Sequence, residues 1–504
     1  MSTRSISEPV PSRSTGSGFI LGAAMILVFA MAARTAVDSD MWWHLRAGEQ
    51  TVSSGRIVLQ DDFSYTRAGA AWTNHSWLAQ VGMYLVFHWG GYVGLGVLVA
   101  SLATLSMFLV YQQLLGPPIL RAFIILLATL VAALVWSPRP QLGSLVLFAL
   151  VGYLLYLYKW KRADRLWALV PVFALWSNLH DGYVLGLLLI GAFLSGELLN
   201  HLLAYQDEDV LSWKRILRLL VWTLGASLAV LLNPNGLQTW LVPFRTVEVN
   251  ALQNLISEWA SPNFHELAQQ PFIWMLLLTL AAVGFSARRL DGSDLAVLGL
   301  FAYLALMARR NFGPFALATA PILSRHLWPA LQTWWSRVLP YLPISWRSIF
   351  KPRPLKVKPA LQRSVNVLIL VILAAAAGEK LYLANSSSFI NKAISELYPQ
   401  GAVEWVRANH PAGRLFNSYN WGGYLIWWLR DYPVFLDGRT DLYNDEIIGQ
   451  WVRVVAGDSG WQAILERWGV RLVLLEPDQP LVRLLPAAGW KLLYQDNHSV
   501  LYGR

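Results

Sequence analysis

Residues 19–44 read FILGAAMILVFAMAARTAVDSDMWWH. From Phe19 to Ala33 there is no charge. With a few flanking residues this run reaches the ~20 apolar positions that a helix needs to span a bilayer. Asp38 and Asp40 stand at its exit, followed at once by Trp42, Trp43 and His44. Interfacial tryptophan is ordinary at a membrane boundary. An acid pair beside it is less ordinary, because a carboxylate held near an apolar phase has a perturbed proton affinity and marks a candidate site.

The pattern recurs along the chain. Of 504 residues, 55% are hydrophobic and 14% charged, where a soluble domain carries about 25% charge. Val93–Val110, Val184–Leu199 and Val367–Ala377 are almost free of charge. The chain is therefore expected to be a polytopic α-helical membrane protein. Absence of cysteine excludes disulfides, thiol catalysis and Cys-ligated metals. The net charge of +10 sits in clusters, which suits the positive-inside bias and not a nucleic-acid partner. The 26 tryptophans point to membrane interfaces or a glycan groove. The N-terminal run ends Ala30-Met31-Ala32-Ala33 and has signal-peptide character, but its length and the acids after it favour a retained first helix.

Eleven spans are expected, near 18–37, 90–112, 119–136, 142–158, 165–178, 183–204, 215–232, 272–287, 294–308, 313–330 and 364–384. With a cytoplasmic N-terminus, this count puts four basic clusters on the cytoplasmic side. They are Lys159/Lys161/Arg162/Arg165, Lys214/Arg215/Arg218, Arg288-Arg289, and Arg347 to Arg363. The membrane module is 1–384, with a basic cytoplasmic linker at 338–363 lying near anionic lipid. Outside fall the first loop, 38–89, the shorter loops near 139, 180, 233–271 and 309, and an α/β domain at 385–504. In that domain Tyr424–Leu429, Val434–Leu436, Val470–Leu475, Trp490–Tyr494 and Val500–Tyr502 read as strands. Ala402–Asn409, Asp445–Val455 and Gly460–Trp468 read as helices.

The chemistry-bearing residues all fall on the external side. Asp38 and Asp40 suit a general base or, two residues apart, a hard-cation site for Mg or Mn; the plainer reading is pairing with a basic residue such as Arg46. Asp61, Asp62, Tyr65 and His75 suit an acceptor or sugar pocket, where aromatic faces stack and polar groups take hydroxyls. Glu258-Trp259 is a second acid–aromatic pair. Asn178 and His180 end one span. Arg309 and Arg310 break the positive-inside bias and therefore call for an anionic partner; guanidinium clamps phosphate well. His44, His75 and His180 are too dispersed for a zinc motif.

The pattern Asp38-x-Asp40-x-Trp42-Trp43-His44-Leu45-x-x-Gly48, then Gly55-Arg56-Ile57, Asp62-Phe63-Ser64-Tyr65 and Trp72-x-x-His75-x-Trp77, resembles bacterial membrane glycosyltransferases of the GT-C superfamily. These are relatives of the dolichyl-phosphate-mannose-protein mannosyltransferases and lipid A aminoarabinose transferases. Arg139-Pro140, Trp176-x-Asn178-x-His180, Asn233-Pro234-x-Gly236, Arg309-Arg310-Asn311 and Asp437-Gly438-Arg439 fit as well. The resemblance implies an inverting enzyme of the plasma membrane. It would move a sugar from a polyprenyl-phosphate donor to an extracytoplasmic protein, lipid or glycan. It makes Asp40 or Asp38 the acid near the acceptor. Arg309, Arg310, His180, Asn178, Arg139 and His44 would then contact donor phosphate or sugar. Ser76 stands where an acid is usual, and Asp181 where glycine is usual. The rival readings are a flippase of lipid-linked saccharide, which needs charge deep in the spans, and a non-catalytic subunit of a cell-envelope assembly, in which the acids are dispensable.

Overall fold

The computed structural model describes residues 15–205, 207–248, 257–341 and 358–504. Most of the expected linker at 338–363 lies outside them. Each of the eleven stretches expected to span contains helix, the first of them only as far as Ala32. Among the described residues, seven helical segments are long and apolar enough to cross a membrane: Trp77–Tyr111, Pro118–Val135, Gln141–Lys159, Tyr183–Leu202, Trp213–Leu232, Leu267–Phe285 and Pro359–Ala384. Gly16–Ala32, Leu166–Leu179 and Gly292–Met307 are apolar but shorter. Phe312–Val338 is long but interrupted by Pro321 and Pro329 and carries Arg325 and His326. The protein is a multi-pass helical membrane protein.

A glycine fixes the helix crossing in the first loop. The Met41–Ser54 helix packs on the Trp77–Tyr111 helix, and a Cβ on Gly48 would lie 2.2 Å from the Gln80 carbonyl oxygen. Gly91 takes φ 55°, ψ −148° and breaks the 77–111 helix in two. Its first part carries Met83 into the core shared with the C-terminal segment, and its second carries Val99 to Tyr111 into the helix bundle. Trp42 is fully buried, among Tyr92, Tyr398, Tyr424 and Trp428. Edge-on aromatic contacts of this kind add roughly 0.5–1.5 kcal/mol each beyond area.

The C-terminal segment folds over this loop. Strands β1 (Arg414–Asn417), β2 (Val470–Leu475), β3 (Lys491–Gln495) and β4 (Val500–Gly503) form one sheet in the order β1-β2-β4-β3. β1 and β2 are parallel, and the other pairs antiparallel. One hydrophobic core runs through both parts, joining Met41, Trp42, Phe63 and Trp72 to Ile390, Tyr424, Leu472 and Leu501.

Three expectations are corrected here. Tyr424–Leu429 belongs to a helix, Gly422–Trp428; a short apolar run has no decisive period, and burial of Tyr424 and Leu425 against the 41–54 helix settles it. Val434–Leu436 stays outside the sheet, since the Phe435 N–H donates to the Asn417 side chain and Val434 makes only an isolated bridge to Ser64. Lys159 is not a loop cation. It is fully buried and donates to Glu197, to Asp291 at 2.6 Å and to Ser293 at 2.9 Å. With Arg325–Asp294 it forms a paired network. A buried charge persists only when matched in this way.

Candidate functional site

At the opposite end of the bundle from Lys159, the loops meet around a cavity of about 430 Å³. Asp40, His44, His75, Arg139, His180, Asp181, Glu258, Trp259 and Arg310 all line it. They come from five separate loops of the chain, the first of them supplying Asp40, His44 and His75. Tyr419, Asn420, Gly438, Arg439, Thr440 and Asp441 close it from the C-terminal side.

Asp40 caps the 41–54 helix. Its N–H donates to Asp38 at 2.9 Å, and its carboxylate accepts from the Trp43 indole at 3.2 Å. Arg139 binds both acids. Its Nε lies 2.6 Å from Asp38, and its Nη1 lies 3.2 Å from Asp40 and 3.1 Å from Glu258. Arg46 instead pairs with Glu49. Burial pushes the Asp40 carboxyl up; Arg139 works against it and Asp38 with it, and it settles at about 6. Two like charges on neighbouring carboxylates cannot both ionise cheaply. His44, buried and beside Arg139, is held well below the usual imidazole range and so presents a neutral ring.

The far wall is built on His180. Its Nδ1 accepts from the Gly182 N–H at 2.9 Å and from the Ser144 hydroxyl at 3.0 Å. Ser144 in turn accepts from the Trp176 indole at 2.8 Å. Asp181 lies 3.0 Å from the same nitrogen. The floor is polar and buried. Asn74 and Gln80 bond each other through both amides at 2.8 Å, and the Ser76 hydroxyl is buried with no partner among the described residues. Arg310 lies 4.2 Å over the Trp259 ring.

Several expected residues stand elsewhere. Arg309 is turned onto the Ser257 carbonyl at 2.8 Å, with Glu266 at 3.7 Å, because the 309–311 turn needs an anchor on the preceding loop. Asp61 is sealed in an ion pair with Arg439 at 2.7 Å. Asp62 accepts from Gln50, and the Tyr65 hydroxyl donates to the Leu415 carbonyl. Asn178 accepts from the Trp77 indole at 2.8 Å. Asp38 does not line the cavity; it touches the lining residues Arg139, at 2.6 Å, and Asp40, through the Asp40 N–H. Sequence reasoning did not place Arg439, Thr440, Asp441 or Tyr419 in the site. The Asp437-Gly438-Arg439 triplet was the available signal, since a glycine between two opposite charges suggests backbone passing close to something. A Cβ on Gly438 would lie 1.9 Å from Asp40 Oδ1. Burial pushes the Asp441 carboxyl up.

The guanidinium of Arg139 fills the place between Asp38, Asp40 and Glu258. Among the described residues no three His, Asp or Glu side chains form a ligand set.

No family profile matches the chain, and no curated protein matches it in sequence. Solved structures do. The archaeal oligosaccharyltransferase AglB of Archaeoglobus fulgidus, in complex with an inhibitory peptide and a dolichol-phosphate, superposes with a TM-score of 0.59 at 12% identity. The match covers 96% of this chain and 74% of that one. ArnT from Cupriavidus metallidurans in the apo state gives a TM-score of 0.51 at 13% identity, over 97% of this chain and 98% of that one. The likeness is one of fold: these neighbours are GT-C glycosyltransferases.

Proposed function

We propose that the protein is an inverting glycosyltransferase that moves a hexosyl or pentosyl group from a polyprenyl-phosphate donor to an acceptor on the outer face of the plasma membrane. The observation that carries it is Asp40, whose carboxyl at about 6 opens on a polar cavity of about 430 Å³ at one end of the helix bundle. A base is most useful when its pKa lies near the working pH. The N-terminus is cytoplasmic in this reading, and the cavity end of the bundle and the C-terminal segment are external.

The acceptor's hydroxyl or amine attacks the anomeric carbon from the face opposite the phosphate. A bond forms from acceptor to carbon, and the carbon–oxygen bond to phosphate breaks. Its electron pair leaves with the polyprenyl phosphate. Asp40 takes the acceptor's proton. Arg310, held over Trp259, meets the leaving phosphate, and His180 stands on the same wall. His44, Asn74, Ser76 and Gln80 offer neutral polar groups to sugar hydroxyls, with Trp43 and Trp72 beside them. Tyr419, Asn420 and Asp441 bring the C-terminal segment to the acceptor side. AglB binding a dolichol-phosphate and a peptide supports a lipid-phosphate carrier and a macromolecular acceptor.

The test is transfer in nanodiscs from a panel of radiolabelled polyprenyl-phosphate sugars to membrane extract. Wild type transfers label from one of them, and Asp40→Asn binds the donor without transferring. Donor binding without turnover in wild type would return the flippase and the silent subunit to the front.

A further inference from the structure

We infer that Arg139 is the standing cation of this cavity and occupies the place that a divalent metal would take among Asp38, Asp40 and Glu258. The catalytic consequence rests on the glycosyltransferase reading; the geometry does not.

Asp38 and Asp40 follow the first helix, Glu258 precedes the Gln270–Phe285 helix, and Arg139 sits in the turn before Gln141–Lys159. Tertiary structure alone brings these four together. Three carboxylates gathered at one point repel one another unless a cation holds them. A hard metal ion would do so through oxygen ligands. Here a guanidinium does so through a charge-assisted hydrogen bond to Asp38 at 2.6 Å and ion-pair contacts to Asp40 at 3.2 Å and Glu258 at 3.1 Å. Burial opposes the charge on Arg139, and Asp38, Asp40 and Glu258 outweigh it, so its pKa rises well above even the usual arginine value. The cation is thus permanent at any working pH. Each acid spends an oxygen on Arg139, and a second positive ion at the same point would be repelled by it. The backbone fixes the placement: the Arg139 N–H donates to the Ser137 carbonyl at 2.7 Å, and Pro140 starts the next helix.

The contacts use Nε and Nη1. Nη2 makes no hydrogen bond or ion pair among the described residues, and Arg139 lines the cavity with its side chain 17% exposed. That donor is left for an oxygen of the departing phosphate. Arg139 thereby does both jobs of a catalytic metal: it orders the acids and neutralises the leaving group.

Mn²⁺ binding to the full chain in nanodiscs, read by electron paramagnetic resonance, tests this without any donor. Wild type and Asp40→Asn should give the same free-Mn²⁺ signal up to about 1 mM, the weak end of biological divalent-cation sites. Arg139→Ala should gain a Mn²⁺ site that is lost again in Arg139→Ala/Asp40→Asn. Mn²⁺ bound by wild type and lost in Asp40→Asn would overturn the inference. So would an Arg139→Ala protein that is folded by circular dichroism yet takes no Mn²⁺. Arg139→Gln, which keeps a polar side chain at the position, serves if the alanine variant unfolds. In the transfer assay, a chelator should leave the wild-type rate unchanged. If no donor is turned over at all, the glycosyltransferase reading fails and the Mn²⁺ result still decides the role of Arg139.

Discussion

Two arginines in this molecule are each surrounded by acids, and they differ in one respect. Arg439 is sealed. Its side chain is 0% exposed, it binds Asp437 through Nη2 and Asp61 through Nη1, each at 2.7 Å, and Phe63 and Trp72 flank it. Arg139 is 17% exposed and holds three acids, of which Glu258 is 40% exposed. The sealed cluster is satisfied: Tyr443 donates to Asp437, the Ser64 and Phe63 N–H groups go to Asp61, and little is left to react. The open cluster is left with excess negative charge and a carboxyl poised near neutrality. The same ingredients fasten two parts of a fold when closed and make a site when opened to a cavity.

The largest effect should come from the open cluster. Asp40→Asn removes the proton acceptor but keeps the shape, and it should cut transfer by roughly 10²–10⁴-fold with an unchanged melting curve. A rate within a few-fold of wild type, measured with saturating donor, would remove Asp40 from the mechanism.

The sealed cluster should fail in the other currency. Arg439→Leu leaves Asp61 and Asp437 buried without a counter-charge, which costs roughly 3–5 kcal/mol. Asp61 lies in the first loop and Asp437 in the C-terminal segment, so the loss should appear as undocking of that segment. Limited proteolysis between 385 and 504 and a lowered melting midpoint would report it. An unchanged midpoint would mean that the shared hydrophobic core alone holds the two parts together.

Gly438 joins the clusters. It precedes the sealed arginine and touches the open acid, where a Cβ would meet Asp40 Oδ1 at 1.9 Å. Gly438→Ala should cost about 1–3 kcal/mol of strain and displace the carboxylate. Transfer should fall about tenfold or more, since small misplacements of reacting groups are costly. An active Gly438→Ala would show that Asp40 has room to move.

The sequence disclosed the bundle far better than the site. Long uncharged runs such as Val93–Val110 have few alternatives to a membrane helix, so the spans were legible. The Asp38/Asp40 pair was legible because charge is rare at such a boundary. What was hidden depends on distance in space. Asp61 and Arg309 have the same chemistry as Asp40 and Arg310, and only tertiary contacts with Arg439 and Ser257 take them out of the cavity. Arg439 and Asp441 lie some 400 residues beyond Asp40, and no local pattern reports that they line the same cavity. Tyr424–Leu429 misled because burial on every side erases the periodicity that separates strand from helix.

The two arginines of the 309–310 pair offer a milder comparison. Arg310 faces the cavity, and Arg309 faces away from it. Arg310→Ala should weaken donor binding by about 1.5–3 kcal/mol, the worth of a charge-assisted hydrogen bond. Arg309→Ala should leave it near wild type and cost only a little stability. Equal losses in a donor-binding titration would mean that the pair acts as one phosphate clamp.

The smallest effect is a shift along the pH axis, and its sign separates the neighbours of Asp40. Transfer needs the ionised base, so the rate should rise through a pKa of about 6 and then level off. Folding runs the other way. A carboxyl raised in the folded state contributes less stability as pH rises past its unfolded value of 3.8 toward 6. Asp38 and Glu258 push the Asp40 carboxyl up, and Arg139 pulls it down. Glu258→Gln should therefore move the rising limb to lower pH, by less than about one unit for a neighbour 40% exposed to solvent. In Arg139→Gln the limb should move to higher pH. Limbs that move together, or not at all, in the pH profile of kcat/KM would mean that the group titrating in the rate is not Asp40.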